Sequence, residues 1–153
     1  MSVPMFYKYA SILHRCGNRF YDQALASFGI GCGQQFFLSR IAEHEGISMY
    51  DLAALGRFDK GTVTRAVQKL EELGYLRSET DVCDRRIRHL YTTAAAGPAL
   101  LAIAESRRAW VERLSAGLSP AEIEQAERLL GHMAQNACQC KTEEGEKNIH
   151  EDR

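Results

Sequence analysis

Residues 59–90 concentrate side chains whose shared chemistry is hydrogen bonding to polyanions and to base edges. Lys60, Thr62, Thr64, Arg65, Gln68 and Lys69 fall in one short stretch, and Arg85, Arg86 and Arg88 follow in another. Arginine can donate two parallel bonds to guanine, glutamine can pair with adenine, and threonine can bond a phosphate or touch a thymine methyl. Lysine and arginine also neutralise phosphates directly. The same residues could form the solvated face of an ordinary amphipathic helix and hairpin, so the elements that carry them decide between the two.

Val63, Ala66, Val67, Leu70 and Leu73 recur at three- and four-residue steps and predict a helix from Lys60 to Leu73 with one apolar stripe. Asp59 suits its N-cap and Gly74 its left-handed C-terminal stop. Burying the stripe turns Gly61, Arg65, Gln68 and Lys69 outward, with Thr62 and Thr64 flanking. Upstream, residues 46–56 read as a turn, a short helix and a second turn. Ser48 and Asp51 form its capping pattern, and Leu52 and Leu55 its buried side. A short helix, a turn and a longer helix with a polar outer face is the helix-turn-helix plan. Downstream, residues 75–80 and 88–92 favour strand and flank the polar loop 81–86, which predicts a hairpin with an arginine tip. Asp81 and Asp84 would repel phosphate, so at least one is expected to hold an arginine through a charge-assisted bond.

These residues resemble the MarR family of winged helix-turn-helix transcriptional regulators. The likeness rests on TVTRAVQKLEELGYL over residues 62–76, on D-x-x-D-R-R as Asp81, Asp84, Arg85 and Arg86, and on Thr92 and Thr93 before the next long helix. It extends over about residues 5–138, with residues 34–41 at the helix that supports the reading unit. One departure is Pro98, where members have no proline; the long helix should start there or bend there. The resemblance implies a mainly α fold with a small β-hairpin wing: a winged core at about 33–92 and dimerisation helices at about 5–28 and 98–138, in one domain. It also implies a homodimer, a pseudo-palindromic duplex operator and a small-molecule effector bound between the dimerisation helices and the winged core. By position Tyr7, His14, Phe20 and Trp110 lie near that cleft, where packing is the simpler role.

The terminal segments fit such pairing without proving it. Met5, Phe6, Tyr9, Ile12, Leu13, Cys16 and Phe20 follow helical spacing; so do Leu100, Leu101, Ala104, Trp110, Val111 and Leu114. Ser119, Pro120 and Glu122 then open a third helix through Ile123, Ala126, Leu130 and Met133. Two paired copies would set their reading helices about 34 Å apart, one DNA turn. Residues 141–153 are polar and without a core pattern, and read as a frayed tail.

The net charge of −1 makes the position of each arginine matter more than the total. No apolar run approaches the roughly 20 residues of a membrane span and no leader pattern opens the chain, so the expectation is a cytoplasmic protein. The five cysteines, Cys16, Cys32, Cys83, Cys138 and Cys140, are odd in number and do not suggest a disulfide framework. Cys16 reads as core, and Cys83 as an exposed wing thiol with a redox role left open. Cys138-x-Cys140 lacks the spacing of a structural zinc site. Gly29, Gly31 and Gly33 read as an interhelical loop. No nucleophile elbow, phosphate-cradling loop or dinucleotide fingerprint is present, so no catalytic residue, cofactor or metal is expected. A winged-helix module that binds a partner protein through the same polar face is the alternative of a different class.

Overall fold

The computed structural model describes the backbone of residues 3–150 and side chains through residue 139. Its elements in chain order are α1 (Phe6–Ala24), α2 (Cys32–Glu43), β1 (Ile47–Ser48), α3 (Met49–Gly56), α4 (Lys60–Glu72), β2 (Leu76–Thr80), β3 (Arg88–Thr92), α5 (Gly97–Ser115) and α6 (Pro120–His150). This is the mainly α fold with a small wing that the sequence implied. Two compact units are distinguished, Met1–Trp110 and Val111–Arg153.

In the first unit, Val63, Ala66, Val67 and Leu70 of α4 close against Phe37, Leu38 and Ile41 of α2, Leu52 of α3, and Leu76 and Leu90 of the sheet. Each of these buried Val, Leu, Ile and Phe side chains contributes about 1.5–3 kcal/mol relative to exposure. Two expected members of that core lie outside it. Leu73 is 37% exposed and Leu55 48%. Leu73 is the C-cap of α4, and Gly74 behind it turns the chain away at φ +79, so the stripe ends at Leu70. Leu55 stands one turn past Leu52 near the end of an eight-residue helix, where the core no longer faces it.

The hairpin pairs Leu76 with Thr92 through Thr80 with Arg88. The sheet also has a strand the sequence did not reveal: β1 pairs Ile47 with Leu90 and Ser48 with His89, so the order is β1-β3-β2. Helix α5 begins at Gly97, one residue before the expected start, and Pro98 sits in its first turn, where its missing N–H is not required. Thr93 precedes a 3-10 turn at Ala94–Ala96, and its hydroxyl donates to the Gly74 carbonyl rather than capping. Gly33 belongs to α2, which starts at Cys32; the loop ends at Gly31, and Asp22 of α1 accepts from the Cys32 amide at 2.8 Å. Gly17 lies under Trp110, which stacks on Phe20 at 5.2 Å, so these two of the four residues expected near a cleft are packed together, whereas Tyr7 is exposed. Cys16 is only half-buried, so it is not part of the core.

In the second unit, the Ser119 amide and hydroxyl both donate to Glu122, and the Glu122 amide donates back to Ser119 at 3.3 Å, the reciprocal cap the sequence indicated. Helical backbone continues through His150, past the expected start of a frayed tail at 141. Lysine and glutamate, frequent in that segment, are good helix formers. Residues 151–153 lie outside the described residues.

A candidate nucleic-acid interface

Asp59 fixes the start of α4. Its carboxylate accepts from the Thr62 amide at 2.9 Å and from the Thr62 hydroxyl at 2.7 Å. These bonds, hydroxyl first, hold its pKa below the usual carboxylate value, with a smaller contribution from nearby Arg65. The cap has a consequence for the site: the Thr62 proton is committed to it. The Thr64 hydroxyl is likewise committed, to the Lys60 carbonyl at 2.8 Å. Both threonines, expected to bond DNA, therefore offer a methyl and acceptor lone pairs but no free hydroxyl proton.

Arg65, Gln68 and Lys69 are exposed beside the buried stripe, as the helical phase requires, and Lys60 is exposed at the N-terminus. Among the described residues none of these four side chains makes a hydrogen bond or ion pair, so their donors are unspent. Arg57, in the turn between α3 and α4, is also exposed and has left-handed backbone at φ 53.

In the wing the four arginines differ. Arg85 is exposed and, among the described residues, its guanidinium is unpaired. Arg86 is gripped by Asp84, Nε to Oδ1 at 3.1 Å and Nη2 to Oδ2 at 3.0 Å, which leaves its other edge outward. That forked bond lowers the Asp84 pKa and raises that of Arg86. Arg77 is paired with Glu79 and lies over the Tyr91 ring at 4.5 Å. Arg88 donates to Glu71 of α4 at 2.8 Å and to Ser78 of β2. Its guanidinium is thus engaged within the protein, bracing the wing against α4 rather than standing free for DNA as the sequence suggested.

Asp81 has a different task from Asp84. One oxygen accepts from the Cys83 and Asp84 amides at 2.8 and 2.9 Å, which shapes the loop; the other meets His89 Nε2 at 2.8 Å. The His89 bond and these amides bring the Asp81 pKa down to about 2. The sequence reading missed His89 as part of this arrangement. The signal was present in the strand period, which puts residue 89 opposite 79 and within reach of the loop that follows β2. Between the start of α3, α4 and the wing lies a groove of about 820 Å³ bordered by Tyr50, Lys60, Thr64, Arg86, Arg88 and His89. Cys83 is exposed, Cys138 is half-buried, and the Cys140 side chain lies outside the described residues.

Comparison with known proteins places this geometry. Residues 36–87 match the model of the MarR family. An uncharacterised HTH-type transcriptional regulator of Bacillus subtilis, YybA, is 36% identical over 61 residues, which span 40% of this chain and 41% of that protein. The solved MarR protein from Peptoclostridium difficile DA00132 superimposes with a TM-score of 0.83 at 27% identity, over 90% of this chain and 92% of its own. The S. aureus MepR–DNA complex shares the fold, with a TM-score of 0.78 at 22% identity over 88% of this chain and 99% of its own. The winged helix-turn-helix core and the D-x-x-D-R-R wing thus agree with a likeness to the MarR family whose model covers residues 36–87.

Proposed function

We propose that this chain is a homodimeric, sequence-specific regulator of transcription that binds duplex DNA in the cytoplasm, and that it is a repressor released by a small molecule or chemical signal. The observation that carries the reading is the set of unspent donors: Arg65, Gln68 and Lys69 project from one helix face, and Arg85 stands on the adjacent wing. An α-helix of this kind fits a major groove, and a wing arginine fits a minor groove or a phosphate row. The shared fold of MepR, which was solved in complex with DNA, supports a DNA-binding reading. Among the described residues no helix is long and apolar enough to cross a membrane.

Dimerisation draws support from each unit separately. Met5 at the N-cap and Phe6, Tyr9, Ile12 and Leu13 on α1 stand exposed, and Leu114, Leu118, Ile123, Leu130 and Met133 stand exposed in the second unit. Scattered apolar residues need no explanation, but continuous helical faces of them mark an interaction surface. Effector release requires that the signal favour a DNA-incompetent arrangement, with a coupling of typically about 1–3 kcal/mol.

Selection of duplexes from a random pool by the full-length protein, with the dimer measured by ultracentrifugation, tests the proposal. Arg65→Ala should cost about 1–3 kcal/mol of affinity and relax preference at one base pair per half-site. Recovery of no preferred duplex, with binding instead to a protein partner, would replace this reading with that of a protein-interaction module.

A further inference from the structure

His89 stands on β3 opposite Glu79 of β2 and Ser48 of β1. Its ring is held at both nitrogens: Nδ1 lies 2.9 Å from the Gly46 carbonyl oxygen and Nε2 lies 2.8 Å from Asp81 Oδ2. A carbonyl oxygen has no proton to give, and an ionised carboxylate has none either. Both ring nitrogens must therefore donate, and only the doubly protonated imidazolium has two N–H groups. A neutral ring keeps one contact and turns a lone pair toward oxygen at the other.

We propose that His89 is a positioning residue whose imidazolium ties the wing loop, through Asp81, to the turn in front of α3, and that loss of its proton weakens the grip of the wing on DNA. This rests on the duplex-binding reading above. The tie is continuous in named atoms. Gly46 holds His89, His89 holds Asp81, and Asp81 sets the Cys83 and Asp84 amides. Asp84 in turn holds Arg86. A proton on one ring thus decides how firmly the arginine-bearing loop is anchored to the helix-turn-helix.

The charges around the ring come from every neighbouring element. Asp81 in the wing loop and Glu79 on β2 favour the cation, and the His89 pKa is raised, chiefly by the Asp81 hydrogen bond and then by the Gly46 carbonyl. Asp51 of α3 also borders the groove; Lys60 of α4, Arg86 of the loop and Arg88 on the same strand are the cations there. Glu45, beside Gly46, is occupied by the Thr92 amide and hydroxyl. Because the folded pKa lies above the ordinary value of 6.5, the tie is complete below that pH and is lost as pH rises through the folded value. Within that window the linked opening equilibrium moves up to about tenfold per pH unit.

The test uses the full-length protein. Histidine-selective 15N spectra without DNA, from pH 5.5 to 9, should show His89 with both ring nitrogens protonated at pH 6.5 and a titration midpoint above the ordinary histidine value of 6.5. Affinity for a duplex selected from a random pool is then followed over the same range at constant ionic strength. Wild-type affinity should decline through the His89 midpoint. His89→Gln and Asp81→Asn, checked for folding by circular dichroism, should bind more weakly at pH 6 and lack that decline. A singly protonated His89 at pH 6.5, or a His89→Gln profile parallel to wild type, would overturn the proposal. Absence of any duplex binding at any pH would sink the duplex-binding reading and the functional half of the proposal with it, while the protonation state of the ring would still decide the tie itself.

Discussion

Arg85 and Arg88 are three residues apart, yet only Arg85 has charge to spare, and the salt dependence of DNA binding should separate them. Each phosphate neutralised adds about 0.9 to the slope of log affinity against log salt on B-form DNA. A dimer presents each arginine twice, so Arg85→Ala should flatten the slope by about 1.8. Between 50 and 200 mM salt, a fourfold change, this amounts to about a 12-fold smaller loss of affinity than wild type suffers. Arg88 donates to Glu71 and Ser78, so Arg88→Ala should leave the slope nearly unchanged while lowering affinity at every salt concentration. Its removal frees the wing from α4 and leaves the Glu71 carboxylate without its partner. Arg86, half-neutralised by Asp84, should fall between the two. Fluorescence anisotropy on a selected duplex at fixed pH measures all three. If Arg88→Ala flattens the slope as much as Arg85→Ala, then Arg88 leaves Glu71 to reach phosphate and the bracing role assigned to it is wrong.

Leu70→Ala should destabilise the fold by about 2–5 kcal/mol because the removed side chain is wholly enclosed, whereas Leu73→Ala, one turn on and partly exposed, should cost roughly 1–2 kcal/mol. Urea denaturation compares them, and equal losses would contradict the burial difference. Asp81, with its pKa lowered to about 2 from 3.8, contributes stability that is complete above pH 3.8 and lost as pH falls toward 2. Asp81→Asn should remove that part of the acid limb in urea midpoints taken between pH 2 and 5; an unaltered limb would show that the loop bonds contribute nothing.

The helix-turn-helix and the hairpin were legible because each is a local pattern. The α4 stripe, the Asp59 and Ser48 caps and the strand pair are all written within a few residues of where they act. Strand β1 was not legible, since two residues carry no period and their partners, Leu90 and His89, lie more than 40 positions away. The same limit governed the side chains of the site. Residue type indicated that Thr62, Thr64 and Arg88 could meet DNA, but the bonds that occupy them go to Asp59, Lys60 and Glu71. That at least one of Asp81 and Asp84 holds an arginine was legible from residue type; that Asp84 is the one, and that Asp81 faces His89, is set by the fold. Donor and acceptor inventories can be read from sequence; which donors are already spent is a property of the fold.

The place of β3 at the centre of the sheet bears on how any signal could reach the tip. A hairpin joined to its domain only by its own two strands could swing like a hinge without disturbing anything else. Here the arm that leads back from the tip is stitched on its far edge to Ile47 and Ser48, and Ser48 is the residue that opens α3. Swinging this hairpin would drag the first helix of the reading unit along with it. On the dimeric, duplex-binding reading proposed above, hairpin strands and helix-turn-helix would then reorient together, and a released state would differ from a bound one in the separation between half-sites.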